Sequence, residues 1–96
     1  MNFKIDYDSR ELEYDMINIK VNISLFMEMY MDIINKDLDY FKNKLGINCA
    51  ITDNNREILD NYINNKEKNV RIKVNDKLDI SIKENNYTYI VSYIIN

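Results

Sequence analysis

The 96-residue chain contains no histidine, proline or tryptophan, and it has a single glycine and a single cysteine. Without histidine it lacks the imidazole base of most nucleophilic triads and the commonest metal ligand. One glycine excludes glycine-rich phosphate loops, and one cysteine excludes a disulfide framework. A chain of this length forms one small domain, residues 1–96, with no room for a deep substrate cavity. The composition therefore excludes many enzyme mechanisms.

Charge is close to balanced overall but uneven along the chain. The formal net charge is −3, with nine acidic and four basic residues in 1–39, against seven acidic and nine basic residues in 40–96. Such a balance disfavours bulk affinity for nucleic acid. No stretch approaches the ~20 apolar residues of a membrane span, and the first residues lack the apolar region of a signal peptide. We therefore expect a cytoplasmic protein that has no membrane contact and keeps its lone Cys49 reduced.

Two stretches near the N-terminus alternate between apolar and polar residues, the pattern of half-buried strands. The first contains Phe3, Ile5 and Tyr7, and the second runs from Ile17 to Leu25. The apolar positions between them change parity, so we expect a bulge or break near residues 15–17. A short helix capped by Asp8 is the alternative for this intervening segment.

Helical periodicity follows, and it predicts two helices. The first begins at a Ser24 cap and ends at Gly46, where a left-handed residue is favoured. Its predicted buried stripe is Met27, Tyr30, Ile34, Leu38, Phe41 and Leu45. The second begins near Asp53 or Asn54, with Asn54 as cap and Glu57 completing a capping box. Its predicted buried residues are Ile58, Leu59, Tyr62 and Ile63.

The last third predicts a three-stranded antiparallel meander with one apolar face. A three-residue loop at 75–77 would pair Val74 with Leu78, and a two-residue loop at 85–86 would pair Ile82 with Tyr89. Together the elements predict an α+β fold of order ββααβββ. It is a two-layer structure, an antiparallel sheet of about five strands with two helices on one face.

An acidic run near the N-terminus is the first candidate partner-binding site. It comprises Asp6, Asp8, Glu11, Glu13 and Asp15. On a strand, alternate residues lie ~6.7 Å apart, close to two phosphate steps of ~3.4 Å along a DNA strand. The run could therefore imitate a nucleic-acid backbone and occupy a basic groove. The alternative is a solvated edge whose charges discourage aggregation.

Surplus apolar residues form a second candidate interface. They are Met27, Met29, Tyr30 and Met31 on the first helix, and Ile90 and Ile94 on the polar side of the last strand. Methionine-rich surfaces suit adaptable partner binding, whereas filling of a thin core is the alternative. Because one thin layer cannot hide this many apolar residues, we expect a homodimer.

The polar side of the meander carries Arg71, Lys73 and Lys83 near Tyr87, an arrangement that could grip a nucleic acid strand. Three basic residues make a small patch, however, and Lys73 opposite Asp79 is typical of an ordinary cross-strand pair. Direct nucleic-acid binding is therefore the weaker hypothesis.

No catalytic, metal-binding or cofactor-binding residues are predicted. Carboxylate pairs such as Asp37 with Asp39 lie on charged stretches, where we expect them to be solvated and without a raised pKa. Cys49 has no histidine partner and lies among apolar residues, which favours a buried structural thiol.

We therefore expect a small non-enzymatic protein-binding module, an inhibitor that blocks a larger nucleic-acid-handling protein. Asn, Ile, Lys, Tyr and Phe make up 53 of the 96 residues, which indicates an AT-rich genome such as that of a phage or mobile element. In size, acidity and lack of motifs the chain is similar to immunity-type and anti-CRISPR inhibitors, although no residue motif carries this similarity. The alternatives are a self-associating structural or regulatory module and a weak nucleic-acid-binding protein.

Overall fold

The computed structural model describes residues 16–96, which form an α+β fold in two layers. The elements are β1 (Met16–Asn22), α1 (Ile23–Leu45), α2 (Asp53–Asn64), β2 (Asn69–Asn75), β3 (Leu78–Asn85) and β4 (Thr88–Ile95). The strands form one antiparallel sheet in the order β1-β4-β3-β2. The predicted class is thereby confirmed, with four strands in the described part. The strand predicted around Phe3, Ile5 and Tyr7 lies outside the described residues.

The junction between β1 and α1 differs from the prediction. Asn22, not Ser24, caps α1, because its side-chain oxygen accepts hydrogen bonds from the backbone N–H groups of Ser24 (2.9 Å) and Leu25 (3.3 Å). The strand therefore ends at Asn22, and Leu25, predicted as its last apolar residue, lies in the first turn of the helix. Asparagine is among the strongest capping residues, so it outweighs the continuing alternation.

Helix α1 contains a kink that changes its buried face. Met29 has non-helical dihedral angles, φ −127° and ψ 21°. The predicted stripe is buried only at Ile34, Leu38 and Phe41. Met27 and Tyr30 are half-buried and Leu45 is 42% exposed. The buried residues are Phe26, Ile33, Ile34, Asp37, Leu38 and Phe41. The helix ends as predicted at Gly46, whose φ is 67° and whose N–H donates to the carbonyl of Phe41.

Helix α2 begins at Asp53, as predicted, but its N-cap lies two residues before the predicted cap, Asn54. Thr52 is the N-cap, and its hydroxyl accepts from the N–H of Asn55 at 3.1 Å while the Asn55 side chain accepts from the N–H of Thr52. This reciprocal pair uses Thr52 and Asn55 in place of Asn54 and Glu57. Of the predicted buried residues, Leu59, Tyr62 and Ile63 are buried and Ile58 is half-buried.

The hairpin between β2 and β3 follows the predicted register except at its turn. Ile72 pairs with Ile80 and Val70 with Ile82, as predicted. Leu78, however, pairs with Asn75 and not with Val74, since a bulge falls between residues 73 and 75. The bulge adds one residue to β2 and keeps Val74 and Leu78 buried.

The hairpin between β3 and β4 is shifted by two residues from the prediction. Ile82 pairs with Val91, and not with Tyr89, because the turn is formed by Asn86 and Tyr87. Asn86 takes the left-handed φ of 55° that this turn requires. A shift of two leaves each side chain on its own face, so the apolar alternation fits both registers.

The core lies between the helices and one face of the sheet. Its strand residues are Ile17, Ile19, Val21, Ile72, Val74, Leu78, Ile80, Ile82, Tyr89, Val91 and Tyr93, all buried. The alternate residues of each strand point to the other face, which the helices leave uncovered.

Candidate interaction surface

The uncovered side of the sheet, here called the open face, carries the alternate side chains of all four strands. These are Asn18, Lys20, Arg71, Lys73, Asp79, Ser81, Lys83, Thr88, Ile90, Ser92 and Ile94. Four are cationic and one is a carboxylate, so the open face is basic although the whole chain has a net charge of −3. The domain therefore presents a cationic sheet surface within an acidic protein.

Ile90 lies at the centre of this surface between two lysines. In the sheet it pairs with Lys20 on β1 and with Lys83 on β3. Ile90 is half-buried and both lysines are exposed. Neither lysine forms an ion pair with any residue between 16 and 96. An apolar side chain is thus flanked on both sides by cations that lack a partner in the described part of the chain.

The rest of the open face is held by its own hydrogen bonds. The Arg71 guanidinium binds the Asp79 carboxylate at 2.9 Å, and the Ser92 hydroxyl donates to the side-chain oxygen of Asn18 at 2.5 Å. Lys73 lies opposite Asp79 in register, as predicted, but its ion pair is with Asp76 at 3.5 Å. Arg71 and Lys73 thus have acidic partners, whereas Lys20 and Lys83 beside Ile90 have none among residues 16–96.

The candidate interface residues do not form one surface. Ile90 and Ile94 lie on the open face, whereas Met27, Met29, Tyr30 and Met31 pack partly buried against the core on the helical side. The Tyr30 hydroxyl donates to Asp60 at 2.5 Å and joins α1 to α2. This hydrogen bond, together with burial, raises the pKa of Tyr30. The methionine cluster thus agrees better with the core-filling alternative.

The acidic run remains untested, because Asp6, Asp8, Glu11, Glu13 and Asp15 all lie outside the described residues.

Asp37 departs from the prediction. The sequence predicts a solvated carboxylate, but Asp37 is fully buried and accepts a hydrogen bond from the Tyr93 hydroxyl on β4. The signal was present in its spacing, since Asp37 lies midway between the apolar residues Ile33 and Phe41 on one helical stripe. Asp39, its predicted companion, is exposed.

Cys49 is buried, as predicted. Its thiol donates to the carbonyl of Leu38 at 3.7 Å, and burial raises its pKa, with a smaller opposing effect from Lys42. A raised pKa keeps the sulfur protonated and poorly nucleophilic.

Residues 16–96 contain no group of three or more cysteine or acidic side chains arranged to hold a metal ion. No helix in this part of the chain has the length and apolar character needed to cross a membrane. In comparisons with protein-family models, curated proteins and solved structures, the chain has no match.

Proposed function

We propose that the chain is a non-enzymatic protein-binding module that contacts its partner through the open face. The observation that supports this proposal is the position of Ile90 between Lys20 and Lys83. Protein interfaces combine an apolar centre with a polar rim, and the open face has this arrangement on a small scale. A suitable partner would present an apolar side chain that buries Ile90. It would also present carboxylates that form ion pairs with Lys20 and Lys83.

The finer proposal is that binding inhibits a larger nucleic-acid-handling protein. It is supported by the strand-like spacing of Asp6 and Asp8, with Glu11, Glu13 and Asp15 beyond them. Changing Asp6, Asp8, Glu11 and Glu13 to Asn or Gln should weaken binding, most strongly at low salt, because charges attract over a longer range there. Unchanged affinity at every salt concentration would remove the acidic run from the binding site.

Two other functions receive less support from the open face. Single-stranded nucleic acid is usually held by aromatic stacking, and the exposed ring near this face is Tyr87 at the turn, while Arg71 is engaged by Asp79. Face-to-face pairing of two copies would set cations against cations. A homodimer must therefore use another surface. Light scattering at micromolar concentration would detect a homodimer as a mass of twice 11.6 kDa.

Affinity capture from the native host cell tests the proposal when three versions of the chain are compared. The wild type should retain a partner protein that Ile90→Asp loses, because a carboxylate would replace the apolar centre of the interface. Leu45→Asp is the matched control, since Leu45 is an exposed apolar residue at the end of α1 and is not one of the open-face residues. Equal recovery by Ile90→Asp and the wild type would contradict binding at the open face.

A further inference from the structure

The two edges of the sheet differ in how they are protected against pairing with another strand. Strand β2, at one edge, has a bulge between residues 73 and 75, and a bulge hinders further pairing. The side-chain amide of the buried Asn55 on α2 also donates to the carbonyl of Lys73 at 3.2 Å. Strand β1, at the other edge, pairs with β4 without a bulge and contains no proline or glycine. Among residues 16–96, no strand lies on its outer side.

The backbone groups that β1 directs outward follow from its pairing with β4. The N–H of Ile23 donates to the carbonyl of Tyr87 at 3.1 Å, and this pair directly continues the ladder. Because hydrogen-bonded pairs alternate with non-hydrogen-bonded pairs in an antiparallel ladder, Ile19 bonds to β4. Asn18 and Lys20 therefore direct their N–H and C=O groups away from β4, toward the position that a further strand would occupy.

We propose that a second copy of this chain pairs with β1, antiparallel and centred on Ile19, so that the two four-stranded sheets join. A two-fold axis between the two Ile19 residues places Asn18 of each copy opposite Lys20 of the other. Since both residues direct their backbone groups outward, each of these two pairs forms two hydrogen bonds, four in all. The same strand is used by both copies, so the assembly closes as a dimer.

Side-chain pattern and charge together select this arrangement. Parallel pairing about a two-fold axis would turn one sheet over and set Ile17 and Val21 beside the open face of the other copy. Among antiparallel registers that keep the faces matched, the one centred on Lys20 sets two lysines opposite each other. The one centred on Asn18 pairs residues 16–20 alone, which are five of the seven residues of β1. The register centred on Ile19 pairs all seven and sets Ile17 opposite Val21.

The pairing also enlarges the open face. Both open faces lie on the same side of the joined sheet, and both pairs of helices lie on the other side. Three strand spacings of ~4.8 Å and an offset of two residues, ~6.7 Å, place the two Ile90 residues roughly 16 Å apart. Lys20 of both copies lies between them, so each copy adds a cation to the surroundings of the other's apolar centre. The dimer goes beyond the proposed function and does not depend on it.

Light scattering of the full chain over a wide concentration range, together with amide hydrogen exchange by NMR, tests this pairing without any other protein. We expect the mass to rise with concentration from 11.6 kDa toward twice that value. The amides of Asn18 and Lys20 should become protected in step with the mass. The amide of Ile19, already bonded to β4, should be protected at every concentration and is the internal reference.

Two substitutions at Lys20 separate the backbone hydrogen bond from the charge. Lys20→Pro should keep the protein monomeric, because proline has no N–H to donate to the second copy. It should still fold, since an edge strand tolerates proline where the N–H points outward. Lys20→Gln is the matched control, because it keeps the N–H and should still dimerise.

Asn18→Asp tests the register. In the register centred on Ile19, each new carboxylate lies opposite Lys20 of the other copy, and two cross-strand ion pairs form. They should tighten dimerisation about 2- to 30-fold at low salt. The aspartate also keeps the side-chain oxygen that accepts from the Ser92 hydroxyl, so the fold is preserved. If Lys20→Pro does not fold, this variant and the exchange measurement still decide.

Four results would overturn the inference. A mass of 11.6 kDa at every concentration would exclude the dimer. Protection of Asn18 and Lys20 that is independent of concentration would assign the edge to a segment of the same chain. A dimer in which these amides exchange freely, or a folded Lys20→Pro that dimerises like the wild type, would place the contact on another surface. Weaker dimerisation of Asn18→Asp would exclude the register. None of these results involves a partner protein, so they are independent of the capture experiment with Ile90→Asp.

Discussion

The hydroxyl of Tyr93, on the strand beside β1, donates a hydrogen bond to the carboxylate of Asp37 across the core of the protein. Both side chains are fully buried. Burying a carboxylate is costly unless it is hydrogen-bonded, so this contact ties the position of α1 to that of β4. Because β4 also carries Ile90, the buried pair helps to hold the strand that presents the open face.

Removing the hydroxyl should therefore destabilise the fold. We expect Tyr93→Phe to lower the free energy of unfolding by about 1–3 kcal/mol, because the buried carboxylate loses a donor. Tyr30→Phe is the comparison, since its hydroxyl bonds to Asp60 in a partly exposed position and its loss should cost only about 0.5–1.5 kcal/mol. Urea unfolding measures both. Equal small losses would show that the Tyr93 hydroxyl contributes nothing beyond an ordinary surface contact.

The two faces of the sheet should respond differently to loss of an isoleucine. Ile80 is fully buried on a central strand, so Ile80→Ala should cost about 2–5 kcal/mol through lost transfer energy and a cavity. Ile90→Ala removes the same atoms from the half-buried open face and should cost less than about 1.5 kcal/mol. Denaturant midpoints compare the pair, and a larger loss for Ile90 would mean that the open face is a second core.

Alternation identified the core side of every described strand, because burial of one face imposes a period of two. It could not fix the register between β3 and β4, because a shift of two residues preserves that period. The turn does not decide the register either, since Asn85–Asn86 and Asn86–Tyr87 each supply an asparagine.

The helical errors have a different cause. Periodicity predicted the burial of Ile34, Leu38 and Phe41, but nothing local in the sequence marks Met29 as non-helical. Phe26 and Ile33 are also buried, although they lie outside the predicted stripe. Asp37 was misplaced because its charge was given more weight than its spacing. In the candidate site, the sequence identified Ile90 and Ile94 as apolar residues on a polar face. It could not identify Lys20 and Lys83 as the neighbours of Ile90, because that pairing depends on the register of the strands.

Stability should fall at high pH because of buried tyrosines. Burial raises the pKa of Tyr62 and of Tyr89, and the hydrogen bond to Asp60 raises the pKa of Tyr30. Above a pH of about 10 the unfolded chain loses tyrosine protons that the folded chain retains, so ionisation favours unfolding. The stabilisation is complete below that pH and is lost as pH rises toward the folded pKa values. Urea unfolding at several pH values should show this decline, with a shallower slope for Tyr62→Phe.

The absence of any such change would contradict the burial of these hydroxyls. A spectrophotometric titration gives an independent check, because burial raises the pKa of Tyr62 and Tyr89, so these rings should ionise only above the ordinary tyrosine range or on unfolding.

Cys49 should react slowly with a soluble thiol reagent. Its sulfur is buried and its pKa is raised by that burial, so little thiolate is present or accessible at neutral pH. In the native protein we expect the rate of Cys49 modification to follow the rate at which the structure around the thiol opens. In denaturant the modification should become fast. Rapid labelling of the native chain, at the rate of a free cysteine, would show that the loop between α1 and α2 is open.

The measurement that tests the central claim most directly is the footprint of the captured partner on the isotopically labelled chain. On titration with that partner, the amide signals of Lys20, Lys83 and Ile90 should shift or broaden, together with their neighbours on the open face. Signals of α2 should change least, because α2 lies on the opposite side of the sheet. A footprint confined to α1 and α2, with the open face unchanged, would contradict the proposal that this surface binds the partner.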